Sequence, residues 1–283
     1  MRLNQETKVP EIDLERQIIV LFDEHGTPTF GPKRDTDCFL GVAVTYDLAK
    51  EKEIFSKCSL LFGLSKMRPI KNNQITNSQA ERISDLITEL PIQIKVKSVN
   101  LAHNEFQLVL TLYEQLGNQL RRKHRQVGER NIAQILHFHI REECVFWSII
   151  DYTERHLTSS TFSVYVDNWS MPRDDIEIHL NCCAQSIQRQ ANSLFEKQGP
   201  NLSVSVPRIS LLDKDSPRKR FVDAITSVIS RSFLRESNSR FSQAPLQRLL
   251  TNDINRSEDV TQATIDLIRA LMDNVLRNPP SVN

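Results

Sequence analysis

The pattern of apolar and polar positions predicts an early group of strands. Gln17–Phe22 (QIIVLF) is a continuous apolar run, which is typical of a strand buried on both faces. Cys38–Tyr46 is a second such run, and the turn-rich stretch between them predicts a hairpin with a long tip. Pro91–Leu101 alternates apolar and polar residues, so it predicts a third strand that is half buried.

Helical periodicity and further strands follow. The predicted helices are Asp47–Phe62 (with Asp47 as N-cap), Asn77–Leu90, Asn104–Arg125, Glu129–Leu157, Arg173–Phe195 and Arg218–Leu234. Between the last three of these lie the predicted strands Thr161–Asp167 and Leu202–Leu211. The second of these strands contains Pro207, which predicts an edge position or a bulge.

The two ends of the chain differ in composition from the central region. Residues 1–16 are polar and predict a loose N-terminal arm, and from Arg235 the sequence again becomes polar. Residues 236–283 contain two helical segments, near Leu246–Asn255 and Thr261–Leu276, and predict a helical C-terminal appendage. The appendage is expected to pack on the parent domain, with a homodimer or protein-partner interface as the alternative.

The order of elements predicts a mixed α/β fold for residues 17–235. Three early strands followed by strands that alternate with helices match the order of a ribonuclease-H-like mixed sheet flanked by helices. In that arrangement the first strand is central and the fourth lies parallel beside it. The ends of neighbouring parallel strands are where α/β proteins commonly build sites.

Composition narrows the class of protein only a little. Of 283 residues, 36 are Lys or Arg and 35 are Asp or Glu, so any attraction to nucleic acid must come from a local patch. Five Cys without a paired spacing indicate reduced thiols. The sequence shows no signal-peptide pattern and no apolar run of membrane-spanning length, so we expect a cytoplasmic protein that does not cross a membrane.

Acidic residues follow the two strands that the fold places side by side. Asp23 and Glu24 follow the first strand, Asp167 follows the fourth, and Asp223 lies on the polar side of the last helix of the domain. Converging carboxylates repel one another unless a cation lies between them, and oxygen ligands suit Mg²⁺ or Mn²⁺. The alternative is that each residue caps a turn or faces solvent.

If the carboxylates converge, the chemistry that they support is phosphodiester hydrolysis by two metal ions. We then expect Asp23, Asp167 and Asp223 to hold the metal, with Glu24 completing the catalytic set. The expected phosphate contacts are Lys71, Arg218, Lys219 and Arg220, because Lys and Arg hold nucleic-acid backbones. Nucleic acid is therefore an expected partner.

Four short segments resemble the DUF3800 family, a bacterial domain of unknown function with a predicted ribonuclease-H-like fold. These segments are IIVLFDEHGTPTFG, CFLGVAV, FSVYVDN and DKDSPRKRFVDAITSVISRSF, and the resemblance spans roughly residues 17–235. The resemblance implies that Asp23, Glu24, Asp167 and Asp223 form the acidic cluster of a metal-dependent nuclease. It also implies a setting in mobile elements or phage defence.

Two positions depart from the family pattern. His25 stands where the family has a small hydroxyl residue, and Arg220 stands where the closing motif has Gln. Arg220 could hold a phosphate, or it could neutralise the acidic cluster and leave it inactive. The sequence thus leaves three hypotheses: a metal-dependent nuclease, a non-catalytic binding or regulatory subunit, and a metal-dependent hydrolase of small phosphate esters.

Overall fold

The computed structural model describes residues 16–26, 38–59, 76–123, 130–167, 173–198, 202–231 and 256–277. Its strands are β1 (Arg16–His25), β2 (Cys38–Asp47), β3 (Gln93–Asn100), β4 (Ser160–Val166), β5 (Val204–Ser205), β6 (Ile209–Leu211) and β7 (Arg256–Asp259). Its helices are α1 (Glu51–Cys58), α2 (Asn77–Glu89), α3 (Asn104–Lys123), α4 (Arg130–His156), α5 (Arg173–Gln198), α6 (Pro217–Ser230) and α7 (Thr261–Arg277). A short 3-10 helix, Leu48–Lys50, precedes α1, and the Asp47 side chain caps it as predicted.

One mixed sheet organises the described residues. Its order is β5-β4-β1-β2-β3-β7, and β6 also pairs with β4. The first three strands form an antiparallel meander, and β4 lies parallel to β1 on the other side. This is the strand arrangement of a ribonuclease-H-like sheet with β1 at its centre, so the predicted fold class is confirmed.

The sheet separates two layers of helices. Ile18, Val20 and Phe22 point into a core shared with α3, α4, α5 and α7. Ile19 and Leu21 point into a second core shared with α1, α2 and α6. Because side chains of a strand alternate between faces, the parity of a position in β1 decides which helical layer it meets.

Glycine lets α4 approach the sheet closely. A Cβ atom added at Gly41 of β2 would lie 2.5 Å from Ile140 of α4 and 2.9 Å from the Phe22 ring. Both distances are too short for real carbon atoms. Gly41 therefore sets the spacing between the centre of the sheet and the helix that crosses it.

The strand predicted at 202–211 is two short strands in the structure. Pro207 lies between β5 and β6, and both of these pair with β4. Proline has no N–H to donate to a ladder, which explains the interruption. The predicted edge or bulge position of Pro207 is therefore confirmed as a break at the edge.

The third strand is more deeply buried than its alternating pattern predicted. Lys95 and Lys97 are almost inaccessible to solvent. The Lys95 ammonium forms an ion pair of 2.8 Å with Asp151 of α4, and Lys97 pairs with Glu258 of β7. Partners that are distant in sequence thus allow lysines to occupy positions that the pattern assigned to solvent.

The described part of the C-terminal segment extends the sheet. β7 pairs parallel with β3, and the helix that follows it places Ile265 and Ile268 in the core beneath α3. The sequence did not predict β7, and the helix predicted near 246–255 lies outside the described residues. No helix within the described ranges is long and apolar enough to cross a membrane.

Candidate acidic site at the ends of β1 and β4

The parallel pairing of β1 and β4 brings two predicted carboxylates together. The register joins Phe22 to Val166, so Asp23 and Asp167 are the next residues on the two strands. Tyr165 packs in the core on the α6 side of the sheet, and alternation places Asp167 on that same side. Asp23 has the same parity as Leu21 and also meets α6.

The third carboxylate comes from α6. Ser216 caps this helix by accepting a hydrogen bond from the Lys219 N–H, and Pro217 occupies the first turn. The helix crosses β1 so that Asp223, on its second turn, reaches the ends of the two strands. Asp23, Asp167 and Asp223 therefore converge, as the strand order predicted.

The Lys219 ammonium lies at the centre of these carboxylates. It lies 2.8 Å from Asp167 Oδ2 and 3.5 Å from Asp23 Oδ1, and it also donates to Asp223 Oδ1. Because each oxygen lies within 3.5 Å of a single nitrogen atom, no two of them are further apart than twice that distance. The cluster is thus compact enough for metal ions a few ångströms apart.

Burial and charge shift the ionisation of this cluster. Burial raises the pKa of Asp23 to about 8, with further increases from Asp223 and Asp167, while Lys219 acts in the opposite direction. Burial also raises the pKa of Asp223. Burial by itself would lower the pKa of Lys219, but Asp23 and Asp223 outweigh it, so that pKa is raised. The carboxylates therefore stabilise a positive charge among them.

Glu24 faces the opposite layer of helices. It has the parity of Phe22, and its Oε1 lies 2.8 Å from Nδ1 of His137 on α4. The His137 ring in turn meets Phe39 edge-on. Glu24 Oε2 is buried and has no hydrogen-bond partner among the described residues. Glu24 is therefore adjacent to the acidic cluster without sharing its Lys219 contact.

A buried arginine lies near Glu24. Arg141 of α4 is 2% exposed, and its guanidinium lies against the rings of Phe22 and Phe138. Its Nε and Nη1 atoms make no hydrogen bond to the part of the chain that the structure describes. Burial lowers the pKa of Arg141, and Glu24 and Asp167 act in the opposite direction. Arg141 thus contributes positive charge close to the two strand ends.

The predicted phosphate contacts occupy different environments. Arg218 donates to Glu51 at 2.7 Å and stacks over the Tyr165 ring. Arg220 is buried within α6, and Lys71 lies outside the described residues. The role that the sequence suggested for Arg220, a cation neutralising the acidic cluster, belongs to Lys219 in the structure.

Sequence reasoning missed the roles of Lys219 and Arg141. Lys219 precedes Asp223 by four residues, a spacing that puts both side chains on one helix face. That spacing was a usable signal. No comparable signal exists for Arg141, because its position near Glu24 depends on how α4 crosses the sheet.

The donor set of the cluster fits a divalent cation. Asp23, Asp167 and Asp223 offer only oxygen atoms, which suits Mg²⁺ or Mn²⁺ better than softer metals. The raised pKa of Asp23 reflects burial together with unfavourable contacts between carboxylates, and bound positive charge would relieve those contacts. The Lys219 ammonium supplies one such charge, and a metal ion at this place would have to displace it.

The fold and the site together define an α/β protein with a ribonuclease-H-like sheet and an acidic cluster at the ends of its central strands. No family model and no curated protein sequence matches the chain. The resemblance to DUF3800 proteins therefore remains a prediction.

Among solved structures, the chain resembles the crystal structure of Bst-RNase HIII in complex with Mn²⁺. The alignment covers 91% of this chain and 72% of that one, at 12% sequence identity and a TM-score of 0.36. A TM-score this low supports no inference by itself. The fold assignment depends instead on the strand order and register of this chain.

Proposed function

We propose that this protein is a nuclease-like enzyme that hydrolyses phosphodiesters with the help of Mg²⁺ or Mn²⁺. The observation that carries the proposal is the convergence of Asp23, Asp167 and Asp223 on one point. These residues come from three separate elements, and each has an oxygen within 3.5 Å of the Lys219 ammonium. The DUF3800 resemblance supports the same proposal.

The residues that would bind the metal are those of the acidic cluster. Asp23, Asp167 and Asp223 would supply carboxylate oxygens, and Asp167, the most exposed of the three side chains, would face the substrate. When bound, a divalent cation would lower the pKa of a water molecule and stabilise the leaving oxygen.

Glu24 and Arg141 would act beside that cluster. His137 holds one oxygen of the Glu24 carboxylate on the α4 side of β1, and from there the charge of Glu24, which acts on Asp23, would complete the catalytic set without binding the metal. The buried guanidinium of Arg141 would oppose the build-up of negative charge at the strand ends. In this proposal Glu24 and Arg141 act through their charges, and neither of them is a metal ligand.

A second candidate function rests on the position of Lys219. An ammonium group that contacts all three carboxylates can replace a metal permanently, which gives a stable but inactive cluster. The protein would then be a binding or regulatory subunit that keeps the fold. A third candidate, hydrolysis of small phosphate esters, would use the same carboxylates on a different substrate.

Cleavage assays with the purified full chain test the first proposal. Single-stranded and double-stranded DNA, single-stranded RNA and an RNA–DNA hybrid are incubated with Mn²⁺, with Mg²⁺ or with chelator, and a chromogenic phosphate monoester is included. We expect metal-dependent cleavage of at least one polymer, and its loss in Asp23→Asn, Asp167→Asn and Asp223→Asn.

Asp266→Asn is the matched control. Asp266 is an exposed aspartate on α7, so the same chemical change there removes no carboxylate from the cluster. If cleavage persists in all three cluster variants, a contaminating nuclease is responsible and the proposal fails. If every polymer stays intact and Mn²⁺ does not raise the melting temperature, the regulatory-subunit candidate is favoured. Cleavage of the monoester alone favours the third candidate.

A further inference from the structure

The helical layer on the other side of the sheet contains a second group of metal-binding side chains. Glu142 of α4 meets His179 and Cys183 of α5, and one ligand atom from each lies within 4.8 Å of the others. Cys183 belongs to the core shared by α4 and α5, whereas Asp223 extends from α6 on the opposite face. This group is therefore separate from the acidic cluster.

The spacing along α5 makes the group possible. His179 and Cys183 are four residues apart, so they lie on the same helix face, one turn from each other. Cys183 Sγ lies 3.2 Å from His179 Nε2 and 2.8 Å from Glu142 Oε1. Ligand atoms around a tetrahedral zinc ion are roughly 3.5 Å apart, so small side-chain rotations would suffice for binding.

We propose that Glu142, His179 and Cys183 form a binding site for a borderline transition-metal ion, with Zn²⁺ as the physiological occupant. A sulfur, a nitrogen and an oxygen ligand together select Zn²⁺ over Mg²⁺, because Mg²⁺ binds almost only oxygen. This chemistry differs from that of the acidic cluster, whose ligands are all carboxylates. The inference goes beyond the proposed function and does not depend on it.

The buried thiol and the restricted imidazole of this group support metal binding over chance proximity. The Cys183 residue is 2% exposed, and the His179 ring packs against Phe138 in a tilted arrangement with ring centroids 3.7 Å apart. The aromatic contact fixes the ring plane, which holds Nε2 towards the sulfur. Cys183 is buried and the other two ligands are half-buried, so the group loses less conformational freedom on binding a metal than exposed side chains would.

The two acidic ligands match the charge of a divalent ion, and the buried guanidinium of Arg141 adds one positive charge beside them. As the metal–sulfur bond forms, the Cys183 thiol proton leaves to solvent, and the resulting thiolate and the Glu142 carboxylate together match the charge of a divalent ion. His179 binds as the neutral imidazole. Three protein ligands leave a fourth position for water, as in zinc sites that are open rather than fully enclosed.

Zinc bound by residues of both α4 and α5 is expected to hold these two helices together. These two helices flank β4 in sequence, and β4 leads directly to Asp167. A ligand that binds only the folded state raises its stability. Zinc would therefore stabilise the helical layer behind the acidic cluster without taking part in hydrolysis there.

Cobalt substitution tests the proposal in the full chain. Protein freed of metal by chelation is titrated with Co²⁺, and the near-ultraviolet absorption from thiolate-to-cobalt charge transfer is recorded. We expect this absorption in the wild type and its loss in Cys183→Ser. The acidic cluster contains no sulfur, so cobalt bound there cannot produce the band, and the result is independent of the proposed nuclease function.

Cys182→Ser is the matched control, because Cys182 is the exposed neighbour on the same helix. That variant should keep both the cobalt band and the rise in melting temperature caused by Zn²⁺, whereas Cys183→Ser loses both. Glu142→Gln and His179→Gln provide variants that keep the thiol if Cys183→Ser fails to fold, and both should weaken the band. Absence of the band in the wild type, or its survival in Cys183→Ser, would overturn the proposal.

Discussion

Lys219 and Asp223 lie one turn apart on α6, and the lysine donates to that aspartate while also contacting Asp23 and Asp167 on the neighbouring strands. The helix thus carries both a member of the acidic cluster and its counter-ion. Removing one partner from a buried ion pair costs more than the pair itself contributes, because the remaining charges stay buried. This makes Lys219 the most informative position in the cluster.

Lys219→Met should destabilise the metal-free protein by about 3 kcal/mol, because the buried acidic cluster loses its shared cation. Urea denaturation at pH 7 with chelator present measures this loss. Lys214→Met is the control, since Lys214 is exposed in the turn before α6. Equal stability of the two variants would show that Lys219 is not the counter-ion of the cluster.

The same variant should bind Mn²⁺ more strongly than the wild type does. In the wild type a metal ion must displace the Lys219 ammonium, whereas Met offers no competing charge. We expect a larger rise in melting temperature per increment of Mn²⁺ for Lys219→Met than for Lys214→Met. An identical rise in both would mean that metal and Lys219 do not compete for the same place.

Asp23 should make the stability of the protein decrease as pH rises towards 8. Its pKa is about 8 in the folded protein against an ordinary value of 3.8, so between these values the folded state retains a proton that the unfolded state has lost. The contribution of Asp23 to the free energy of unfolding is therefore fully present below pH 3.8 and is lost as pH rises through about 8. The slope is at most about 1.4 kcal/mol per pH unit.

Urea titrations at pH 5.5 and pH 7.5 with chelator measure this dependence. Asp23→Asn cannot ionise, so it should lose less stability over that interval than the wild type, by about 2.5 kcal/mol. Asp266→Asn should follow the wild type. If Asp23→Asn shows the full wild-type decrease, the carboxyl of Asp23 is already ionised at the lower pH.

Breaking the buried ion pair between Lys95 and Asp151 should destabilise the fold, whereas replacing both partners with apolar residues should not. Asp151→Asn leaves the Lys95 ammonium without its nearest carboxylate and should destabilise the fold by about 3 kcal/mol. The double variant Lys95→Met with Asp151→Leu should recover most of that loss, because neither charge of this pair then remains buried. Thermal and urea unfolding of the single and double variants measure the difference.

The exposed pair between Lys57 and Glu53 is the control for this prediction. Its nitrogen–oxygen distance is 2.9 Å, close to that of the buried pair, but both side chains are about half exposed. Glu53→Gln should therefore leave the unfolding free energy unchanged within error. A double variant at 95 and 151 that is no more stable than Asp151→Asn would argue that packing, and not charge, dominates at this site.

The proximity of Asp23 and Asp167 could be predicted from the sequence because it depends on few assumptions. Each residue follows an apolar run, and the order of elements places those runs side by side in parallel. Alternation along β1 also separates Asp23 from Glu24 onto opposite faces, although residue type and the family resemblance group them in one cluster. That separation could have been predicted, because Asp23 and Glu24 are consecutive residues of one strand.

The counter-ion of the cluster and the strand β7 were not predicted, for two different reasons. The place of Arg220 in a motif suggests it as the neutralising cation, whereas helical spacing from Asp223 indicates Lys219. Strand β7 was not predicted because Arg256–Asp259 is short and polar. Its pairing with β3 also explains why Lys97 is buried, since Glu258 supplies the compensating charge.

The C-terminal helix α7 should behave as part of the same cooperative unit as the sheet. Ile265 is fully buried in the core beneath α3, so Ile265→Ala removes packed methyl groups and leaves a cavity that should cost about 3 kcal/mol. Leu276→Ala on the same helix is the control, because Leu276 is 61% exposed. A single urea transition, recorded by both tryptophan fluorescence and circular dichroism, should move as a whole in the first variant and stay in place in the second. Two separated transitions in Ile265→Ala, with the main one unchanged, would instead indicate that α7 folds as an independent appendage.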